Sequence, residues 1–358
     1  MAYNPMPTLL SVISDHNIPN LLVAKHYQPE RHIFLTTQQM QQRAKHLKKA
    51  LNLSSKNLIS INIPDEDFKG IQDVLAAHIS KINNFPIIIN LTGGTKLMAL
   101  SIYDFFTNLV STNHENVKFV YLPINSNEII IINGHKREKL TSKIETVVEY
   151  LHTYGIDILG QRDPAQKDHV FAIFKTKQKQ QFPPIVNQIT HDYLNRGEWF
   201  EDYLYWKIKS DMQLDNSQIK CGVKIRLDED SSHLIPHYND NEIDVLFVFK
   251  NNLYIVEAKT RMKKDFQTQV YYKLASFYLN MGLSAKTYLC HLSQQPISDL
   301  HGKMIEILKN RLSYQDNSHK SELQNIYIEQ FKRKSLKISG IFDKNFFLDP
   351  NHSFAGKF

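Results

Sequence analysis

The chain has 358 residues, 42% of them hydrophobic and 22% charged, which excludes a disordered protein and predicts two domains of ordinary size. Lysine and arginine exceed aspartate and glutamate by seven (43 − 36) and the pI is near 9.0, which favours polyanionic partners, although a merely solvated basic surface has the same composition. Two cysteines exclude a disulfide framework and predict a reducing, cytoplasmic setting. The sequence contains neither a signal peptide nor an apolar run of about 18 residues, so no membrane partner is expected.

The first 110 residues alternate short apolar runs with segments of helical period, a pattern typical of βαβ units around a parallel sheet. The run PIIINL is apolar throughout, as expected for a strand that is buried on both faces. The predicted strands are Thr8–Ser14, His32–Leu35, Leu58–Ile63 and Pro86–Leu91, and the predicted helices are Gln38–Leu51 and Phe68–Lys81.

A glycine pair follows the last of these strands, in the segment NLTGGTKLMALSIYDFF (90–106). Gly93 and Gly94 permit a tight turn and a close approach of the backbone, and Thr95 is a good N-cap for the helix that follows. Backbone N–H groups at the helix start, together with Lys96, form a cradle for an anion at the carboxyl end of a parallel strand. The segment contains neither a Walker A motif nor G-x-G-x-x-G, and a bare Gly-Gly turn is usually only a turn.

A hairpin follows the α/β alternation, and the pattern changes from about Lys136. Val117–Tyr121 and Glu128–Asn133 flank the turn-rich INSN and predict a β-hairpin. Ser142–Tyr154 has a helical period, and the polar stretch Gln161–Pro184 is interpreted as a connection between two domains. A second α/β pattern then continues to about residue 340 and is followed by an aromatic tail that either docks or frays.

Three elements of the C-terminal half carry acidic residues. A helix is predicted over Gly197–Ser210, with Asn195 as its N-cap and Glu198 as the capping-box partner. Two strands are predicted over 241–249 and 253–260, joined by a turn at 250–252.

Alternation along these two strands places Asp244 and Glu257 where they meet near the end of an antiparallel pair. Like charges repel, so the two carboxylates form a poor structural pair but a good site for a hard divalent cation. Lys259 shares the face of Glu257 and supplies a positive charge where a phosphate would lie, able to orient the attacking water or stabilise the pentavalent phosphorane. The alternative is an exposed hairpin in which Glu257 and Lys259 form a salt bridge.

The segments GEWFEDYLYW, NEIDVLFVF and YIVEAKT resemble the restriction-endonuclease-like superfamily, written PD-(D/E)XK. The resemblance implies that Asp244 and Glu257 bind Mg²⁺ or Mn²⁺ and that Lys259 is the catalytic lysine. It also implies that Glu201, on the first core helix, is catalytic and completes the metal site. Glu198 lies one turn earlier and is the other candidate, although its predicted capping position favours a structural role.

Residues next to these motifs are less decisive. Ile243 stands where the family nominally has a proline, a departure that leaves the chemistry intact. Glu242 shares the face of Asp244 and is either part of the metal site or solvated surface. Gln267 and Tyr271, on the same predicted helix as Lys273, are similar to the Gln-x-x-x-Tyr helix of exonuclease-like members, with amphipathic packing as the other explanation.

The string TGGTKLM looks like the T-G-G-T-K-x-M signature of the CRISPR-associated Rossmann fold (CARF) domain, and LLSVISDHNIPNLL resembles the other ligand loop of that family. A CARF domain followed by a restriction-like nuclease is similar to the ancillary nucleases of type III CRISPR systems. The resemblance implies a homodimer that binds a cyclic oligoadenylate, most often cyclic tetra-adenylate, across its two-fold axis. The ligand-binding residues that it implies are Ser14, Asp15, Asn17, Thr92, Gly93, Gly94, Thr95 and Lys96.

The predicted fold is α/β throughout, with a Rossmann-like CARF domain over residues 1–140, a connection over 141–185 and a PD-(D/E)XK nuclease domain over 186–358. We expect the cyclic ligand to rotate the subunits and activate cleavage of single-stranded DNA, single-stranded RNA or duplex DNA, with little base specificity. A rival hypothesis is a sensor that grips nucleic acid without cutting it, which the intact Asp244, Glu257 and Lys259 set argues against. A third is that the CARF site degrades its own ligand with the help of His16 and Lys96.

Overall fold

The computed structural model describes residues 7–82, 86–109, 116–182, 192–227, 242–261, 273, 281–293 and 339–358. The chain divides into two compact units, of which the first extends to Asp157 and the second begins at Ile158. One sheet has seven strands and the other has six. No helix within the described ranges is both long enough and apolar enough to cross a membrane.

The strands of the first sheet lie in the order β3-β2-β1-β4-β5-β6-β7, and the first five are parallel. The chain moves outward from β1 in both directions, so the boundary between β1 and β4 is the switch point at which open α/β sheets bind ligands. The strand bounds are β1 Thr8–Val12, β2 Arg31–Thr36, β3 Leu58–Asn62, β4 Ile87–Asn90, β5 Val117–Tyr121, β6 Glu128–Ile131 and β7 Lys136–Lys139.

The helices of the first unit follow the predicted pattern with four changes. The helix Ile18–Tyr27 was not predicted, and the predicted helix Phe68–Lys81 is divided at His78 into Phe68–Ala77 and Ile79–Ile82. The segment predicted over Gln38–Leu51 begins with a short 3₁₀ turn, and the predicted helix Ser142–Tyr154 is shorter because Thr146 caps it, accepting a hydrogen bond from the N–H of Glu149. The hairpin formed by β5 and β6 is confirmed. The helices are α1 Ile18–Tyr27, α2 Gln41–Ala50, α3 Phe68–Ala77, α4 Ile79–Ile82, α5 Lys96–Leu109 and α6 Val147–His152.

The strands of the second sheet lie in the order β13-β12-β11-β10-β9-β8. Lys250 and Asn251, between β10 and β11, have φ values of 48° and 63°, the two left-handed positions that a type I′ hairpin turn requires. The bounds are β8 Ile156–Arg162, β9 Ile219–Leu227, β10 Glu242–Phe249, β11 Asn252–Lys259, β12 Ala285–His291 and β13 Gly340–Phe342, with α7 Lys167–Lys179, α8 Asp192–Arg196, α9 Glu198–Asp211 and α10 Lys344–Leu348.

The stretch 141–185 is more structured than the predicted connection, since it supplies α6, β8 and α7. Its composition is polar because β8 is an edge strand and because α7 buries only Val170 and Phe174. The aromatic tail docks: Phe347 and Phe354 are fully buried, and the ring of Phe358 contacts that of Phe247.

Candidate nuclease and ligand sites

The two predicted carboxylates meet on the central strands of the second sheet. Val245 of β10 pairs with Val256 of β11, so the next antiparallel pair outward is Asp244 and Glu257. Both side chains are buried, and Oδ2 of Asp244 accepts a hydrogen bond from the N–H of Ala258 at 2.6 Å. Burial raises the pKa of Glu257, and repulsion from Asp244 adds to that rise. The sheet therefore holds two acidic groups together at an electrostatic cost.

Two lysines offset this cost. The Nζ of Lys259 lies 2.6 Å from Oε1 of Glu257 and 3.4 Å from Oδ2 of Asp244. The Nζ of Lys273 lies 2.7 Å from Oε2 of Glu257 and 3.9 Å from Oδ1 of Asp244. Burial alone would lower the pKa of Lys259, but the two carboxylates outweigh it and raise that pKa above its usual range. Every oxygen of the two carboxylates thus faces an ammonium group.

Glu201 lies in the first turn of α9, and its carboxylate faces this pair from the helix. Its Oε2 accepts a hydrogen bond from Nη2 of Arg162 at 2.9 Å. Burial, followed by repulsion from Asp244, raises the pKa of Glu201 to about 8 even though Arg162 opposes the shift. Glu201 and Asp244 are therefore electrostatic neighbours, as the resemblance implies for two ligands of one metal ion.

The predicted capping box of α9 is wrong. The N-cap is Gly197, with a φ of 87° and no side-chain cap, because Asn195 belongs to the preceding helix α8. Glu198 is then the first residue of α9 and not the third residue after its N-cap. The left-handed conformation that joins the two helices is open to glycine and strained for other residues.

The donor set fits a hard divalent cation, although the described residues do not assemble a closed site. No group of three or more His, Cys, Asp or Glu side chains in the described ranges is gathered tightly enough to hold a metal ion. Glu201, Asp244 and Glu257 nevertheless offer only carboxylate oxygens, the ligands that Mg²⁺ and Mn²⁺ prefer. The mutual repulsion that raises the pKa of Glu201 and of Glu257 is relieved by a cation, so the chemistry of the set agrees with the predicted metal.

The first unit brings its two predicted ligand loops together at the switch point. A Cβ atom at Gly93 would lie 2.1 Å from the backbone oxygen of Val12, and one at Gly94 would lie 2.5 Å from Cγ1 of Val12. Gly94 also has a φ of 79°. Both positions therefore require glycine. Thr95 caps α5 as predicted, because its Oγ1 accepts a hydrogen bond from the N–H of Met98 at 3.2 Å.

Thr92 and Asn17, two of the predicted ligand residues, are engaged within the protein. The hydroxyl of Thr92 donates to Oδ1 of Asn90 at 2.6 Å and accepts from the N–H of Leu122 at 2.8 Å. Asn17 is fully buried; its Nδ2 donates to the backbone oxygen of Arg43, and its Oδ1 accepts from Nδ2 of Asn20. These two side chains shape the loops, whereas Asp15, Gly94, Thr95 and Lys96 are exposed and Ser14 is half-buried.

Two side chains of the first ligand loop, Asp15 and His16, contact residues from other parts of the CARF domain. Nε of Arg43 lies 3.5 Å from Oδ1 of Asp15, and Nδ1 of His16 lies 2.7 Å from the hydroxyl of Tyr154. Burial lowers the pKa of His16 to about 4, so this ring is neutral at pH 7. Arg43 and Lys96 are thus two cations next to the predicted loops, and Arg43 escaped the sequence analysis because it lies on α2, far from both loops in the sequence.

Comparison with known proteins separates the two halves of the chain. The family model of the Card1 CARF domain matches residues 8–150, and the model of the Card1-like endonuclease domain matches residues 190–326. The chain is a Card1-type CARF domain followed by a Card1-like endonuclease domain. This is the arrangement of the CRISPR ancillary nucleases of type III systems, and it confirms the predicted fold class. The predicted domain boundaries at 140 and 186 stay predictions.

Three solved structures share the fold. Can2 from Sulfobacillus thermosulfidooxidans in complex with cyclic tetra-adenylate is 21% identical, with a TM-score of 0.65 over 84% of this chain and 93% of that chain. Protein VC1899 from Vibrio cholerae is 15% identical, with a TM-score of 0.68 over 96% of each chain. A type III CRISPR defence DNA nuclease activated by cyclic oligoadenylate is 15% identical, with a TM-score of 0.55 over 80% of this chain and 45% of that chain. No curated protein matches the sequence.

The endonuclease domain also contains residues that sequence reasoning missed or left open. Arg162 contacts Glu201, and Lys273 contacts Glu257. Arg162 did not stand out because it lies in a polar stretch, and Lys273 was predicted only to lie on a helix, with no role at this centre. Lys259 of β11 pairs in register with His291 of β12, which places the buried His291 ring on the face of the lysine. Glu242 is half-buried at the start of β10, while the predicted pair Gln267 and Tyr271 lies outside the described residues.

Proposed function

We propose that the protein is a metal-dependent endonuclease of type III CRISPR defence that a cyclic oligoadenylate activates, with cyclic tetra-adenylate as the activator. The observation that carries this proposal is the buried pair Asp244 and Glu257, held at the ends of two central strands with Lys259 on both carboxylates. An ordinary core does not retain two adjacent carboxylates at this depth, because their desolvation and repulsion are destabilising. The exposed salt-bridged hairpin is inconsistent with the burial of Glu257.

The reaction follows from the residues at this centre. Glu201, Asp244 and Glu257 would hold Mg²⁺ or Mn²⁺, which when bound polarises the phosphate and activates a water for in-line attack. Lys259 holds a permanent positive charge beside the carboxylates, where it neutralises charge that develops on the phosphate oxygens. The protein thereby fixes both the metal ligands and the counter-charge on rigid strands. Single-stranded DNA, single-stranded RNA and duplex DNA are the proposed substrates.

The activator site is proposed at the switch point of the CARF sheet. Gly94, Thr95 and Lys96 are exposed at the start of α5, where a helix N-terminus suits phosphate groups, and Ser14 and Asp15 are placed to meet base or ribose edges. Gly93 and Thr92 set the backbone conformation of this loop through their contacts with Val12 and Asn90. We propose a homodimer, because a two-fold axis presents two copies of the loop to a ligand of matching symmetry. The complex of Can2 with cyclic tetra-adenylate supports this choice of ligand. The proposed setting is the cytoplasm.

The test is cleavage of labelled single-stranded DNA, single-stranded RNA and supercoiled plasmid, with and without cyclic tetra-adenylate, in Mg²⁺, Mn²⁺ or EDTA. Glu257→Gln and Lys259→Gln should each lower the cleavage rate by about 100-fold or more, the usual range for a group that stabilises transition-state charge. Glu198→Gln is the matched control, because it removes a carboxylate from α9 one turn before Glu201. Undiminished cleavage by either active-site variant would reject the site, and a ligand-dependent gel shift without cleavage would favour the binding rival.

A further inference from the structure

Arg162, the last residue of β8, places its guanidinium group between two carboxylates that are adjacent in sequence. Its Nη2 donates to Oε2 of Glu201 at 2.9 Å, and its Nη1 donates to Oδ1 of Asp202 at 2.5 Å. The same Nη2 lies 3.3 Å from Sγ of Cys221 on the neighbouring strand. Arg162 therefore connects the helix-borne carboxylate of the proposed metal centre to the edge of the sheet.

Asp202 fixes Arg162 on the side of the guanidinium group away from Glu201. The side chain of Asp202 is fully buried, and its Oδ2 accepts hydrogen bonds from the hydroxyl of Tyr193 at 2.8 Å and from the N–H of Ala165 at 3.0 Å. Both oxygens of Asp202 are thus engaged, so this carboxylate is a fixed anchor. Because a guanidinium group is planar and rigid, fixing one of its terminal nitrogens also fixes the direction of the other, which points at Glu201.

The backbone of β9 leaves space for this arginine. Gly222 has a φ of 54°, and a Cβ atom there would lie 2.8 Å from Cβ of Arg162 and 3.2 Å from its Nε. The pairs Ile243 with Val223 and Val245 with Cys221 bracket this glycine, which places it opposite Asp244. Arg162 consequently passes over the strand position next to the metal-binding aspartate, and a side chain at Gly222 would push it away.

We propose that Arg162 is a positioning residue for Glu201, holding the carboxylate of α9 in the orientation in which it shares a divalent cation with Asp244. The proposal rests on the proposed metal centre. Arg162 itself touches neither the metal nor the substrate; it acts through Glu201. Partners of this kind, hydrogen-bonded to a metal-binding carboxylate, change metal affinity by about 10–100-fold when they are removed. A purely structural ion pair would change stability and leave metal affinity alone.

The experiment is isothermal titration of the full-length protein with Mn²⁺ alone, without substrate or activator. Arg162→Gln should weaken Mn²⁺ binding by about 10-fold or more, and Arg162→Lys should recover part of the loss because one hydrogen bond to Glu201 can re-form. The decisive comparison is a double-mutant cycle with Glu201→Gln. If Arg162 acts through Glu201, the double variant binds Mn²⁺ no more weakly than Glu201→Gln alone.

Two further variants separate positioning from folding. Tyr203→Phe removes the buried hydrogen bond between the Tyr203 hydroxyl and Nε2 of His352. This bond lies outside the contacts of Arg162, so its loss should lower the melting temperature without changing Mn²⁺ affinity. Gly222→Ala displaces Arg162 without removing it and should weaken Mn²⁺ binding as Arg162→Gln does. This variant tests the positioning role if Arg162→Gln does not fold.

Wild-type Mn²⁺ affinity in folded Arg162→Gln, or losses that simply add to those of Glu201→Gln, would overturn the role of Arg162 alone. The proposed metal centre is checked separately with Glu257→Gln. A wild-type protein that binds no Mn²⁺, or whose binding does not depend on Glu257, would overturn that centre and the role of Arg162 together.

Discussion

The Nζ of Lys273 lies 2.7 Å from Oε2 of Glu257, the oxygen that Lys259 does not hold. Together with Lys259, it occupies the oxygens of Asp244 and Glu257 that a metal ion would need. A divalent cation that binds here must displace at least one ammonium group. We expect the ammonium group of Lys273 to be the one displaced, because Lys259 lies on strand β11 itself.

Replacing Lys273 with glutamine should therefore strengthen metal binding. The metal-free variant should melt at a lower temperature, because Glu257 is left with one cationic partner, and its gain in stability on adding Mn²⁺ should exceed that of wild type. Each tenfold gain in affinity adds about 1.4 kcal/mol at saturating metal. Thermal melts with and without Mn²⁺ measure this, with Lys286→Gln of β12 as the control. A gain no larger than in wild type would contradict the prediction.

Gly93→Ala should abolish binding of cyclic tetra-adenylate while leaving the endonuclease domain able to bind Mn²⁺. The added methyl group would lie 2.1 Å from the backbone oxygen of Val12, which forces the two ligand loops apart. Titration with cyclic tetra-adenylate measures the effect. Gly160→Ala is the matched control, since a Cβ atom there meets nothing within 4 Å. Unchanged affinity in Gly93→Ala would remove this loop from the ligand site.

Stability of the CARF domain should fall as the pH is lowered from about 6.5 to 4. Burial lowers the pKa of His32 to about 4, so the folded protein keeps this ring neutral while the unfolded chain binds a proton below its ordinary pKa near 6.5. The unfolded state then binds more protons in this window, and the loss reaches at most about 3 kcal/mol. Urea unfolding followed by far-UV circular dichroism at several pH values should show a shallower pH dependence for His32→Gln than for wild type. Equal slopes would contradict the prediction.

Phe354→Ala should destabilise the endonuclease domain by about 3–5 kcal/mol, the usual cost of removing a buried phenyl ring. The ring is fully buried and packs against Phe342, Phe346 and Phe358. Both tryptophans of the chain lie in α9, so their fluorescence during urea unfolding reports on this domain alone. Phe354→Leu keeps most of the volume and should cost less than half as much. A cost below about 1 kcal/mol for alanine would mean that the tail frays.

Local patterns predicted the elements and the carboxylate pair. Continuous apolar runs marked the parallel strands, and alternation along two strands joined by a short turn was sufficient to bring Asp244 and Glu257 together, although the turn has two residues and not the predicted three. These inferences succeeded because both partners lie on one hairpin, where the register follows from the turn.

Long-range partners could not be predicted in this way. Arg162 lies 39 residues before Glu201, in a stretch whose polarity predicted a connection, and nothing nearby in sequence shows that its side chain returns to α9. The capping box failed for another reason. The Asn-x-x-Glu spacing is present, but Gly197 breaks the helix between its two members and moves the true start to Glu198.

The bonds of Asn90 have a consequence for how the activator is recognised. Its Oδ1 accepts from the N–H and the hydroxyl of Thr92, and its Nδ2 donates to Asn20, which in turn holds the backbone oxygen of Val12. The spacing of the two loops is thus set when the sheet folds, and little conformational entropy remains to be lost when a ligand arrives. We expect a preformed site of this kind to select ligands by size. Cyclic oligoadenylates should bind weakly when their ring is too small or too large to contact both loops.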